Sequence, residues 1–210
     1  MAKKVKITMA IAKKVLATVD AGLVEGKGVP IPGQMCVEAA VAYAMGESHN
    51  DRPKCVTSEI IDTKIIINDH NIWATIRNAD KIRAKVLRRL AIAQLGSKGV
   101  ISGKQWDNAV NDYASNLVKD TRDDRITYLK ILEETSTKLK SGERVFLEYI
   151  NWDPVNFQDY LPDHVKDLKH LSKICEDLVQ ILINLKSPGT KFLYLTEKPK
   201  QIAKKKPKKK

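Results

Sequence analysis

Apolar residues recur at every fourth position near the start of the chain, at Ile7, Ile11, Val15, Val19 and Leu23. That period follows one face of an α-helix, not the alternation of a half-buried strand, and it predicts an amphipathic helix. GKGVPIPG, residues 26–33, breaks the pattern with three glycines and two prolines and reads as a loop. QMCVEAAVAYAMG, residues 34–46, is apolar almost all round, so it predicts a buried helix with Cys36 in its first turn and Gly46 at its end. ESHNDRP is a polar loop. TSEIIDTKIIIND, residues 57–69, fits either a short helix capped by Ser58 or a strand over TKIII.

The stretch NADKIRAKVLRRLAIAQLGSKG carries the clearest helix signals. Asn78 suits the N-cap, Asp80 the positive end of the helix dipole and Gly96 the stop. Ile82, Val86, Leu90 and Ala93 form its apolar stripe. Trp106, Val110, Tyr113 and Leu117 predict the next helix, and RITYLKILEETSTKLK and ERVFLEYINW predict two more. A long helix follows with Val165, Leu168, Leu171, Cys175, Leu178 and Leu182 inward. Pro188-Gly189 closes it, and KFLYL suggests a short final strand. The pattern as a whole predicts an all-α fold, an orthogonal or bundle-like array of about six to seven helices with little or no sheet. No internal repeat is found.

Composition sharpens this outline. At 210 residues and 43% apolar content, the chain suits one helical domain over residues 1–196. No apolar run approaches the roughly 18 residues that span a bilayer. The N-terminus has lysines ahead of apolar residues, as a signal peptide would. Lys13 and Lys14 interrupt that stretch, so it reads as a helix of the mature protein. Cys36, Cys55 and Cys175 cannot all pair with one another, and three cysteines are few for a disulfide scaffold, which points to a reducing, cytoplasmic setting.

Charge is spread unevenly. The formal net charge is +12, and the last thirteen residues, KPKQIAKKKPKKK, hold eight lysines and no acids. The remainder, with 29 basic and 25 acidic residues, carries only +4. Residues 197–210 therefore predict a disordered Lys-rich tail that has too little to bury to offset its ordering entropy.

Candidate chemistry is sparse. Cys36 at a helix start has the position in which the dipole favours thiolate, and Gln34 before it resembles the oxyanion-binding glutamine of papain-like peptidases. Such a dyad also needs a histidine, from among His49, His70, His164 and His170, and the fold that usually supplies it contains a sheet. The simpler reading is a buried cysteine acting as a small hydrophobe. Cys36, His49 and Cys55, with Glu38 nearby, have ligand types suited to zinc. The C-x-E helix start is also found in zinc deaminases, but their second P-C-x-x-C element is missing, and no metal is assigned. Glu38 reads as a first-turn acid with unusually apolar flanks. Asp163, Asp167, His164 and His170 read as a solvated helix face. No nucleotide or cofactor fingerprint occurs, so no cofactor is expected.

The basic residues say more. At roughly 100° per residue, Lys81, Lys85 and Arg88 share one helix face, bordered by Arg89. With Lys204, Lys205, Lys206, Lys208, Lys209 and Lys210 they make the candidate nucleic-acid-binding set, because phosphate neutralisation with counterion release needs clustered cations. Nothing in the pattern suits base readout, so contact with DNA or RNA would be sequence-independent.

Three segments together carry a resemblance. GQMCVEAAVAYAMG with HNDRPKCV, then RAKVLRRLAIAQLGSKGV, then ILINLKSPGTKFLYL are similar in order and spacing to a family of uncharacterised bacterial and phage proteins. Many of those proteins have an alanine-rich middle that residues 120–160 lack here. The resemblance implies a bacterial or phage, intracellular setting and no particular activity. The sequence thus points to a non-enzymatic polyanion-binding protein, with a protein–protein adaptor or inhibitor, or a Cys36-dependent enzyme, as alternatives.

Overall fold

A computed structural model describes residues 6–120, 165 and 167–197. Within them lie six α-helices: α1 (Met9–Asp20), α2 (Val37–Ala44), α3 (Ser58–Asn68), α4 (Ala79–Ala93), α5 (Gly103–Asp120) and α6 (Leu168–Asn184). Two 3-10 segments, Asn71–Thr75 and Pro188–Thr196, complete the described elements. The all-α expectation is met, with no strand among the described residues. An isolated bridge joins Gly28 to Met35. The helices expected over residues 125–140 and 143–152, and the Lys-rich residues 198–210, lie outside the described residues.

Local chemistry explains where the helices begin. The Thr8 hydroxyl accepts from Ile11 N at 3.3 Å, and the Cys36 sulfur accepts from Ala39 N at the same distance. Ser102 and Gln105 bond reciprocally ahead of α5, with Gln105 Oε1 accepting from Ser102 N at 2.9 Å. Asp167 Oδ1 accepts from His170 N at 2.7 Å, so the Asp167/His170 spacing belongs to a cap. Asn78 does occupy the N-cap of α4, but in a left-handed conformation with no side-chain cap bond.

Two ambiguous stretches are settled by their neighbours. TKIII is the body of α3, which lies between α2 and α5 and therefore buries apolar side chains on more than one face. KFLYL is 3-10 helix, contrary to the closing strand expected from its composition. Its segment starts at Pro188 and comes so near the end of α4 that a Cβ at Gly189 would collide with Ile92 O. Ser187 Oγ adds a buried hydrogen bond to Ala93 O.

The central element is α4, which touches α1, α2, α6 and both 3-10 segments. Its buried residues are therefore spread over a wide arc that includes Arg83, Leu87, Ala91 and Ile92. Ile82 and Val86, expected in the apolar stripe, are only partly buried against that core. The same buried cluster takes in Val15 and Val19 of α1, Trp106 of α5, and Leu171, Leu178 and Leu182 of α6. Trp106 satisfies its indole N–H on Thr63 Oγ1 at 2.9 Å, as burial requires.

Candidate functional site

Two regions concentrate charge. The first lies in the core. Glu38 of α2 and Lys64 of α3 are both completely buried (0% exposed). Lys64 Nζ lies 2.7 Å from Glu38 Oε1, and Gln94 donates to the same oxygen at 3.1 Å. Glu38 Oε2 and Gln94 Oε1 have no hydrogen-bond partner among the described residues. Burial raises the carboxyl pKa of Glu38 and lowers that of the Lys64 ammonium, and the attraction of each for the other opposes the shift. Such a pair is costly to desolvate, and removing one partner would strand a charge in the core. Its geometry joins three helices from inside.

Cys36 and Cys55 share the electrostatic surroundings of this pair. Burial pushes both thiols up to about 11, and the Glu38 carboxylate adds to the rise. The bond that the Cys36 sulfur accepts from Ala39 N works against this rise, and burial outweighs it. Burial also pushes the Cys175 thiol up. Gln34 contributes backbone, accepting from Val29 N at 2.8 Å and donating to Ile31 O at 2.9 Å. His49 bonds through Nε2 to Gly28 O at 2.9 Å, so its ring also braces the loop. All three cysteines are buried and unbridged. Among the described residues no group of three or more His, Cys, Asp and Glu side chains is placed to hold a metal ion, so Cys36, His49 and Cys55 do not form a ligand cluster.

The second region is the outer face of α4. Lys81 and Lys85 are exposed and have no ion pair within the described residues. Arg88 and Arg89 differ from them. Arg88 Nε lies 2.8 Å from Asp20 Oδ1 of α1, while its Nη1 donates to Thr196 O at 2.8 Å. Arg89 Nε donates to Glu176 Oε2 of α6 at 2.9 Å, and its Nη1 reaches Thr196 Oγ1 at 3.2 Å. Two planar guanidinium forks thus fasten the end of the C-terminal 3-10 helix to α4. Periodicity put all four cations on a solvent face. A segment about a hundred residues away in the chain folds over one edge of that face, and no local pattern encodes such a contact.

Arg83 was not among the candidates, and it is buried. It stacks over Trp73, 5.1 Å from guanidinium carbon to ring centroid, and donates to Leu23 O at 2.8 Å. An Asp80 contact at 3.1 Å accompanies them. Burial lowers its pKa, with Asp80 the leading opposing influence. A lone arginine within a run of basic residues gave no signal of this role. For Lys64 there was one, a lysine set among isoleucines. Lys204, Lys205, Lys206, Lys208, Lys209 and Lys210 lie outside the described residues.

No helix among the described residues is long and apolar enough to cross a membrane. No protein-family model, curated protein or solved structure matches the chain.

Proposed function

We propose that the protein is a non-enzymatic helical binding protein that associates with polyanions, foremost DNA or RNA, without reading their sequence. The observation that carries this reading is the charge distribution, with eight lysines and no acid in the last thirteen residues of a chain whose remainder is close to balance. Lysine density of that kind attracts phosphate polymers by counterion release. Lys81 and Lys85, exposed on α4, add a small basic surface on the folded body. A mobility-shift titration of the full chain and of a chain ending at Glu197, at two salt concentrations, tests the proposal. The full chain is expected to bind, and either truncation or added salt to weaken it. Binding that is absent, or indifferent to both changes, would overturn it.

A second reading, a protein–protein adaptor acting through the helical body, is favoured by the loop over residues 24–34. Val29 and Ile31 are exposed there at 46% and 51%, on a backbone held by Val24 N to Met35 O at 3.0 Å and Gly26 N to Asp69 Oδ1 at 2.9 Å. At Gly28 φ is +67°, and a side chain would collide with Gln34 O, so the turn requires glycine at this position. Affinity capture with the chain ending at Glu197, comparing the native loop with V29S/I31S, tests this reading. A specific partner lost on substitution supports it, and one retained equally by both excludes the loop.

A further inference from the structure

Of the large apolar side chains that the described residues leave in solvent, Tyr194 is the most open, at 55%. It sits on the 3-10 helix Pro188–Thr196, which has about three residues per turn. Lys191 and Tyr194 therefore fall on one edge, while Phe192, Leu193 and Thr196 turn into the fold. The helix packs against α1, where the Tyr194 hydroxyl donates to the sulfur of Met9 at 3.5 Å, and Met9 is itself 48% exposed. One turn along α1 from Met9 stands Lys13, exposed and without an ion pair among the described residues. Two other rings near the surface are already covered by cations. Lys14 Nζ lies 5.7 Å from the centre of the Tyr43 ring and Lys191 Nζ 4.9 Å from that of Phe192. Among the described residues no cation lies over Tyr194. Its ring is held at the hydroxyl end and otherwise faces water.

The charges around this ring are not symmetrical. Lys191 is about 6 Å from Tyr194 along the 3-10 axis, and Lys13 about 6 Å from Met9 along α1. Of the nearby acids, Asp20 at the far end of α1 is paired to Arg88. Glu197 is exposed at the C-cap of the 3-10 helix, on the side of Tyr194 away from Lys191. An anionic strand laid on Tyr194 is thus drawn toward Lys191 and Lys13 and turned away from Glu197.

From this placement, and resting on the polyanion-binding reading above, we infer that Tyr194 is a platform on which an unpaired nucleobase stacks, with Lys191 and Lys13 holding the phosphates beside it. The partner is single-stranded DNA or RNA. In a duplex each base face is covered by its neighbours and only phosphates remain to be met, whereas a single strand can lay a base on the ring. Every base has such a face, so the contact is tolerant of sequence. Met9 positions the ring through its hydroxyl, and Glu197 sets the direction in which the strand leaves.

The test is fluorescence anisotropy of the full chain with two labelled DNA strands of equal length, one of mixed sequence and one abasic. The abasic strand keeps the phosphates and lacks the bases. The native chain is expected to bind the mixed strand about tenfold more tightly. Y194L, which keeps an apolar side chain and removes the aromatic ring, is expected to weaken the mixed strand about tenfold and the abasic strand less than about twofold. Y194F is expected to bind the mixed strand with near-native affinity. K13Q/K191Q is expected to weaken both strands and to reduce the magnitude of the log-affinity against log-salt slope by about 1.4, at about 0.7 per phosphate contact. Equal affinity of the native chain for the two strands, or a Y194L loss that is equal on both, would overturn the platform while leaving polyanion binding intact. An unchanged salt slope in K13Q/K191Q would remove the two lysines from it. Failure of the native chain to bind either strand would instead contradict the underlying reading.

Discussion

Lys64 and Lys85 are both lysines on helices, and their surroundings give them opposite uses. Lys64 is sealed between α2 and α3, with its charge committed to Glu38 at 2.7 Å. Lys85 stands in solvent on α4 with no ion pair among the described residues. The first cation can only serve the fold, since nothing charged can reach it without opening the core. The second costs nothing to keep charged and can meet any anion that arrives. Arg88 and Arg89 lie between these extremes, partly covered and bound to Thr196, Asp20 and Glu176. Residue type alone therefore predicts little about a cation's role. Burial and the partners brought by distant chain segments decide it.

The largest expected effect breaks the buried half of this contrast. Lys64→Ala or Glu38→Ala is expected to lose about 3–5 kcal/mol of unfolding free energy, because each strands the partner charge in the core. Replacing both residues by apolar ones of similar volume, as in E38L/K64M, is expected to restore most of that loss. Urea denaturation measures both. A double variant as unstable as the single ones would mean that the pair holds the helices together in a way apolar contact cannot replace.

The thiols beside the pair give the next effect. Cys36 and Cys55 have folded-state pKa values raised to about 11 from an ordinary 9.0. A raised acid keeps its proton in the folded state after the unfolded chain has lost it, so its stabilisation is full below pH 9 and fades as pH rises toward 11. Two units correspond to about 2–3 kcal/mol per thiol. Cys55→Ala should therefore flatten the fall in stability between pH 9 and 11, as measured by denaturation at a series of pH values. A pH dependence unchanged by the substitution would show that this thiol titrates normally.

Smaller effects belong to the surface. Arg88→Gln is expected to cost about 1 kcal/mol, because exposed pairs contribute little and the bond to Thr196 adds a modest amount. K81Q/K85Q should leave thermal stability within about 0.5 kcal/mol of the native chain while changing nucleic-acid affinity. A large stability loss in that variant would give those lysines a structural role and narrow the contrast with Lys64.

Much of the fold was legible in the sequence, because helix periodicity and capping are local. Val15 and Val19 in α1, Trp106 and Val110 in α5, and Leu171, Cys175, Leu178 and Leu182 in α6 are buried as their spacing predicts. The buried face of α4 was less legible. An element surrounded by α1, α2, α6 and the C-terminal 3-10 helix loses its simple two-sided pattern, so Arg83 is buried while Ile82 and Val86 are only half so. Glu38 stood out as an acid among apolar residues, but its partner is 26 positions away in the sequence on another helix. Pairing across such a distance is set by the assembled fold. The same holds for Thr196, which lies 108 and 107 positions from the arginines that bind it.

The most direct measurement of the central claim, that this fold keeps some cations for itself and offers others to a phosphate polymer, is the salt dependence of duplex-DNA affinity for the full chain and for the chain ending at Glu197. Each phosphate contact contributes about −0.9 to the log–log slope. A slope of several units is expected for the full chain, and a shallow slope with much weaker affinity after truncation. A steep slope that survives truncation, or no measurable affinity at low salt for the full chain, would contradict it.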